Sequence, residues 1–543
     1  MPADIAKVDK VIVTNLTVLK GKYGVPGSQK VQAAVQDLIT SDQKRGLVTR
    51  LYLLDDATSM KQVEAPQVTK AADPKQNKEA IDAICRALAP DYLMILGAID
   101  VIPHQDLKNP MYSPLDDPDK FAFGDLPYAC EAKYSQRPQD FFGPTRVVGR
   151  LPDITGAKDP QYLIDLLNFA AKYKNSDVSS YRIYFGISAE IWKNSSLLSV
   201  TSIFGNGSDL KTVPPSKDKW PPAFLGRLAH FINCHGAPHD SRFFGQPASG
   251  AQDYPVALDA GYLNLKVTEG TVVAAECCYG AQLFDPALNQ GKMGIFNTYL
   301  GNKSYGVFGS TTIAYGPADS NDAADLICQY FLRSVLRGAS LGRAALEARQ
   351  EFVHRASMSE PDNVKTIAQF NLYADPSLTP IKPAHVIAAL PKGISVQAAG
   401  DLRVERVERR RDLFGRGIAL VKSQPVIAKF TGKVTDPVLS ALGKKAAEYG
   451  IALGRTLTFD VKKPSVSKLM PLGLIAQEVF PNRVYVIFQS GKAIQKKTVS
   501  KRKAPGAGSA NGPAVTQIVA LIVKEANGTI VSTKKTFSKG FIT

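Results

Sequence analysis

From the start of the chain to about residue 380, short runs of Val, Ile and Leu alternate with longer helix-like stretches, and this alternation constrains the fold more than any other feature. A strand that reads as a continuous apolar run needs cover on both faces, and intervening helices supply it, so the pattern predicts a mostly parallel α/β sheet flanked by helices. Residues 11–14, 48–54, 92–99, 182–187, 230–234, 272–275 and 306–308 are the predicted strands. Among the helices, 322–336 places Leu326, Ile327, Tyr330, Phe331 and Val335 on one face with Gly338 as its stop. Ser340 then caps a second helix that runs to about residue 353.

A change of character follows Asp375-Pro376-Ser377, where Pro380, Pro383 and Pro391 punctuate a linker-like stretch. Beyond it, residues 391–543 hold 27 Lys and Arg against 9 Asp and Glu, a net of +18 within a chain whose total is +17. The first 390 residues are therefore close to neutral. A length of 543 residues calls for two or three cores. We divide it into an N-terminal α/β subdomain (1–155), a central domain (156–385) and a basic, mainly β C-terminal domain (386–543). In that last part, 481–490 and 515–524 alternate as strands do, and 501–513 is a Lys/Arg cluster followed by a Gly, Ser and Ala run that reads as a flexible loop. No apolar run is long enough to cross a bilayer, so no membrane is expected. Residues 1–10 lack the apolar core of a secretory signal, which makes the cytoplasm the expected compartment. The six cysteines suit reduced thiols rather than a disulfide framework or a zinc knuckle, and no metal or cofactor is called for.

Two predicted strands end in chemistry. One closes as Asn233-Cys234-His235-Gly236, the other as Glu276-Cys277-Cys278-Tyr279-Gly280. In an open α/β sheet, sites gather at the carboxyl ends of strands, which puts His235 and the cysteine pair on one edge. A thiolate that attacks an amide needs an imidazole to handle the proton of the departing amine and N–H groups to hold the oxyanion. The N–H of Gly236 and that of the nucleophile are the natural donors, because glycine lets the backbone approach closely. His104, His230, His239, His354 and His385 lack this context and read as structural or surface residues.

The paired strands closed by His-Gly and by a cysteine shortly before glycine resemble the caspase, legumain and gingipain group of cysteine peptidases. Further segments are similar to gingipain-type peptidases in particular: the run Pro90-Asp91-Tyr92-Leu93-Met94-Ile95-Leu96-Gly97 with Ile102-Pro103, then Asp125-Leu126-Pro127-Tyr128, Val147-Val148-Gly149-Arg150-Leu151-Pro152, Gly309-Ser310-Thr311 and Ala374-Asp375-Pro376-Ser377-Leu378. They span about residues 85–382 and do not reach the basic tail. The resemblance implies a caspase-like fold and cleavage of protein substrates through a thioester, with His235 and one cysteine catalytic and Gly236 in the oxyanion hole. The caspase spacing Cys-x-Gly selects Cys278, our first choice; the gingipain and legumain spacing Cys-x-x-Gly selects Cys277.

The same resemblance carries an acidic substrate-binding residue, suited to Arg or Lys at the cleavage position, onto the stretch after Arg150, where Asp159 is the first choice and Asp153 the second. Asp319 and Asp322, after Gly309-Ser310-Thr311, are the other acids near the expected pocket; each of the four has a plain alternative as a helix cap or a solvated loop acid. The basic tail fits a polyanion, an acidic protein or the acidic face of its own α/β part. The rival reading is a nucleic-acid-binding or scaffold protein on an inactive peptidase fold. Against it, Arg406 and Arg409 to Arg411 alternate with Glu405, Glu408 and Asp412 as on a solvated helix face. A third reading makes the chain a zymogen, processed at 409–411 or 501–503.

Overall fold

A computed structural model describes residues 7–382, 396–464, 480–489 and 516–542. Its first body is built on ten strands: β1 (Lys10–Thr14), β2 (Thr49–Leu53), β3 (Tyr92–Leu96), β4 (Val148–Leu151), β5 (Tyr184–Ala189), β6 (Leu210–Val213), β7 (Ala229–Asn233), β8 (Val272–Ala275), β9 (Gly306–Ser310) and β10 (Phe370–Tyr373). They form one sheet in the order β2-β1-β3-β4-β10-β9-β8-β7-β5-β6. Every neighbouring pair is parallel except β9 and β10, which run antiparallel. The sheet is thus two parallel halves that point in opposite directions, joined at one seam. This is the α/β class expected, a mostly parallel sheet covered by helices.

The predicted boundary at 155/156 falls just after β4, inside the continuous sheet. Within the first half of the sheet, buried ions of the sequence motifs act as ties. Arg150 on β4 is fully buried and donates to both carboxylate oxygens of Asp125 at 2.9 and 2.6 Å. Lys10 on β1 is likewise buried and pairs with Asp42 and Asp375. Each ion is neutralised where desolvation would otherwise cost several kcal/mol.

Among the described residues the second body carries two helices, Val396–Ser423 and Asp436–Glu448, and five strands: β11 (Val426–Lys429), β12 (Thr456–Lys462), β13 (Arg483–Phe488), β14 (Thr516–Ala526) and β15 (Thr529–Ile542). They make an antiparallel sheet whose sixth member is borrowed from the first body: Tyr315–Gly316 pairs with Ser538 and Phe537 of β15. Its basic side chains meet acids of the first body. Lys534 reaches Asp322 at 2.6 Å and Asp362 at 2.9 Å, and also contacts Glu360; Lys524 reaches Glu360 at 2.6 Å; Arg455 reaches Asp116 at 2.9 Å. Arg406 and Arg410 turn to Asp91. The segment 501–513 and His385 lie outside the described residues.

Candidate functional site

β7 and β8 are adjacent and parallel, with Ala229 opposite Val272 and Ile232 opposite Ala275, so the residues after each strand emerge side by side. Side chains alternate across a strand with period two. Phe231 and Ala274 pack on one face of the sheet, Ile232 and Ala275 on the other. Continuing the alternation, Cys234 and Cys277 fall with the second set, and Cys278 with the first. Asn233 and Glu276 belong to that first face too, where the helix Ala323–Leu336 presents Asp325. The two cysteines therefore point to opposite sides of the sheet, and Cys278 shares its side with Glu276.

The loop after β7 is pinned at once. His235 exchanges both backbone hydrogen bonds with Phe244, each at 2.8 Å, which starts the hairpin formed by Arg242–Phe244 and Val256–Asp259. That hairpin delivers Gln246, whose Oε1 accepts from His235 Nε2 at 2.8 Å while its amide group faces the carbonyls of Gly250 and Ala251. With the proton on Nε2, Nδ1 is the basic nitrogen of the ring. The imidazole lies against Trp192, 4.3 Å between centroids, and Tyr254, 5.2 Å. Burial first of all pushes its pKa down to about 3, the hydrogen bond to Gln246 opposing and the charge of Lys539 assisting, so the ring is neutral here.

Cys278 Sγ accepts from the N–H of Ala314 at 3.1 Å. Burial raises its pKa above the ordinary thiol range, and that of Cys277 as well, so neither sulfur is a standing thiolate in this state. Gly236 and Cys278 sit so close that a Cβ on Gly236 would meet the Cys278 carbonyl oxygen at 1.9 Å. Only glycine fits there. The result is that the N–H groups of Gly236 and Cys278 converge on one oxygen: the backbone carbonyl of Lys539 on β15, at 3.0 and 2.8 Å.

The Lys539 side chain is as well held as its carbonyl. Its ammonium donates to Asp325 Oδ1 at 2.7 Å, Asn233 Oδ1 at 2.9 Å and Glu276 Oε2 at 3.1 Å, and lies 4.9 Å from the centre of the Trp192 ring. All four side chains around it are fully buried, as it is itself. Burial works against the ammonium, but Asp325 and Glu276 outweigh it and hold its pKa above the usual lysine value. Glu276 is pushed well up by burial and then by Asp325, with Lys539 pulling the other way, which favours its protonated form. Chemically the arrangement offers two backbone donors for a developing oxyanion, a sulfur beside them, a neutral imidazole nearby and an acidic pocket filled by one cation.

The residues expected to bind substrate are distributed differently. β4 runs opposite to β7 and β8, so Asp153, which follows it, stands at the other edge of the sheet; it is buried against Lys22, Tyr23 and the N–H of Ala98. Asp159 is exposed and caps the N–H of Gln161. Neither is brought to the cluster, because reversal of the sheet at β10 was not visible in the order of motifs. Asp319 is exposed and accepts from Asn194, two residues beyond Trp192. Asp322 caps the helix that starts at Ala323 and pairs with Lys534. The acids that meet Lys539 are Glu276 and Asp325, with Asn233 as its third acceptor; a charged residue closing the apolar strand 272–275 is the sequence signal for Glu276. Of the other histidines, His104 and His230 are buried, His239 packs against Phe284, and His354 is exposed.

Among the described residues no cluster of His, Cys, Asp and Glu suited to a metal ion is present, and no helix is long and apolar enough to cross a membrane. No family model matches the chain, and no curated protein matches it. A solved structure described as "Structure of Protease" is similar to it with 14% identity and a TM-score of 0.46, over 72% of this chain and 84% of that one.

Proposed function

We propose that this chain is a cysteine endopeptidase of gingipain type that cleaves polypeptides after lysine, with arginine as the second choice. The observation that carries the reading is the seating of Lys539: its carbonyl oxygen takes the N–H groups of Gly236 and Cys278, and its ammonium lies between Asp325, Asn233 and Glu276. A substrate lysine in the same place would present its carbonyl carbon to Cys278.

Cys278 is the nucleophile in this reading. It shares its face of the sheet with Glu276, whereas Cys277 packs on the far side with Cys234. His235 takes the thiol proton on Nδ1 as sulfur attacks, and passes it to the departing amine; the two N–H groups hold the oxyanion. Water then hydrolyses the thioester and releases a carboxylate. Gln246 is a positioning residue that fixes the tautomer. Three acceptors arranged about one ammonium favour the compact charge of lysine over the wider fork of arginine.

The cations of the second body face acids of the first, which supports internal docking over capture of a polyanion. The reading is tested with fluorogenic peptides carrying Lys, Arg, Asp or Asn at the cleavage position. Hydrolysis is expected after Lys, more weakly after Arg, and absent with Cys278→Ala. Hydrolysis that persists in Cys278→Ala, or a preference for Asp or Asn, would refute it.

A further inference from the structure

The lysine in the pocket belongs to the protein itself. We propose that β15 is a built-in inhibitor: residues 537–540 occupy the cleft as a substrate would and keep other polypeptides out until the strand is displaced. This rests on the peptidase reading above and names the regulation of the same site.

Several independent contacts define the seat. Lys539 donates its N–H to the carbonyl of Ala314 at 2.8 Å, and Ser538 and Phe537 pair antiparallel with Tyr315 and Gly316. An extended peptide added to a free strand edge is how a cleft holds a polypeptide by its backbone. On the other side of Lys539, Gly540 forms a bridge with Gly236. A Cβ on Gly540 would come within 2.2 Å of the Gly236 carbonyl oxygen, 2.4 Å of Cys278 Cβ and 2.8 Å of Cys278 Sγ, so the chain passes over the nucleophile at a distance that glycine alone permits. Ser538, Lys539 and Gly540 are all buried.

The geometry also explains how such a strand stays whole. Attack by Cys278 sulfur would form a C–S bond to the Lys539 carbonyl carbon and break the C–N bond to Gly540, with the thiol proton ending on the Gly540 amine. Phe541 and Ile542 remain paired with Gln517 and Thr516 of β14, so that amine is held beside the thioester. It re-forms the amide, each bond change running backwards and the proton returning to sulfur, before water enters a buried site. A tethered competitor acts at an effective concentration of mM order or above, against peptide substrates used at tens of µM, so the wild type is expected to be suppressed at least about tenfold.

The test compares wild type, Lys539→Met and Gly540→Ala as full chains. The first variant keeps most of the side-chain volume but leaves the acidic pocket without its cation; the second forces the backbone off Cys278 by sterics alone. Initial rates on a lysyl fluorogenic peptide, and labelling by a lysyl acyloxymethyl ketone followed by intact mass, are expected to rise about tenfold or more in both variants over wild type. Equal rates and labelling in all three would overturn the inhibitor while leaving the peptidase standing. Cleavage of wild type between residues 539 and 540 on incubation would overturn it too, by making the strand a substrate. If none of the three hydrolyses or takes label, with cooperative melting retained, the peptidase reading itself falls.

Discussion

Asp325→Asn separates the charge of the pocket from its shape. The ammonium of Lys539 has three acceptors at 2.7, 2.9 and 3.1 Å, all fully buried. Glu276 is held well above its ordinary pKa by burial and by Asp325, and Asp325 makes the shortest of the three contacts, so we assign the counter-charge of Lys539 to Asp325. A hydrogen bond to a charged partner is worth about 1.5–3 kcal/mol, and leaving a buried ion without its counter-ion costs about 2–5 kcal/mol. Taking about 3 kcal/mol, kcat/KM for a lysyl peptide should fall roughly a hundredfold in Asp325→Asn, since about 1.4 kcal/mol is a factor of ten. Glu276→Gln keeps the shape with a neutral amide and, with the counter-charge on Asp325, should lose less than about tenfold. The assay is kcat/KM on paired substrates with lysine or norleucine at the cleavage position, made in the Lys539→Met background so that the internal lysine does not compete. Norleucine should be nearly indifferent to both changes. Equal losses for the two variants with lysine, or an unchanged lysine-to-norleucine ratio in Asp325→Asn, would refute the assignment of charge.

Cys278→Ala should abolish both hydrolysis and labelling by a lysyl electrophile, whereas Cys277→Ala should keep the label and lose only about 1 kcal/mol of packing, read by intact mass and denaturant melts. Buried His235, His230 and His104 are pushed by desolvation to about 3, 3 and 4, below the unfolded value near 6.5. They are neutral when folded and charged when unfolded, so stability is full above about pH 6.5 and is lost as pH falls toward 4, by up to about 4 kcal/mol per pH unit for the three together; a flat denaturant midpoint from pH 6.5 to 4.5 would contradict this. Lys534→Met leaves Asp322, Glu360 and Asp362 without their shared cation and should cost about 3 kcal/mol, seen as a lower melting temperature; an unchanged melt would show that the contact contributes nothing.

The strands that carry the site were legible because each is a short apolar run with an unmistakable end. The run 272–275 and β8 coincide, and β7 is displaced by one residue from 230–234. The cap at Asp322 and the stop near Gly338 bracket the helix that supplies Asp325. Less visible was β10, four residues long and placed by the sheet between strands distant in sequence. Its antiparallel seam turns the first half of the sheet around, which is why the acids after β4 were assigned to the wrong edge. The motifs around Arg150 and Asp375 tie together the first half of the sheet; nothing local in them distinguishes a tie from a pocket. Pleat parity was available in the sequence and would have separated Cys278 from Cys277 and paired Glu276 with the former. The meeting of Lys539 with Glu276, across 263 residues, depends on how the two bodies dock, and no local pattern encodes it.

Because β10 completes the first sheet at Tyr373 and the blocking segment begins near Phe537, a ribosome finishes the two at different times. At about 5–20 residues per second, roughly ten to thirty seconds of synthesis separate the emergence of β10 from that of residue 540. If β15 is the inhibitor proposed above, a nascent chain with a folded first body holds an uncovered cleft during that interval, open to any lysine within reach. A message truncated between these points would leave that cleft permanently uncovered.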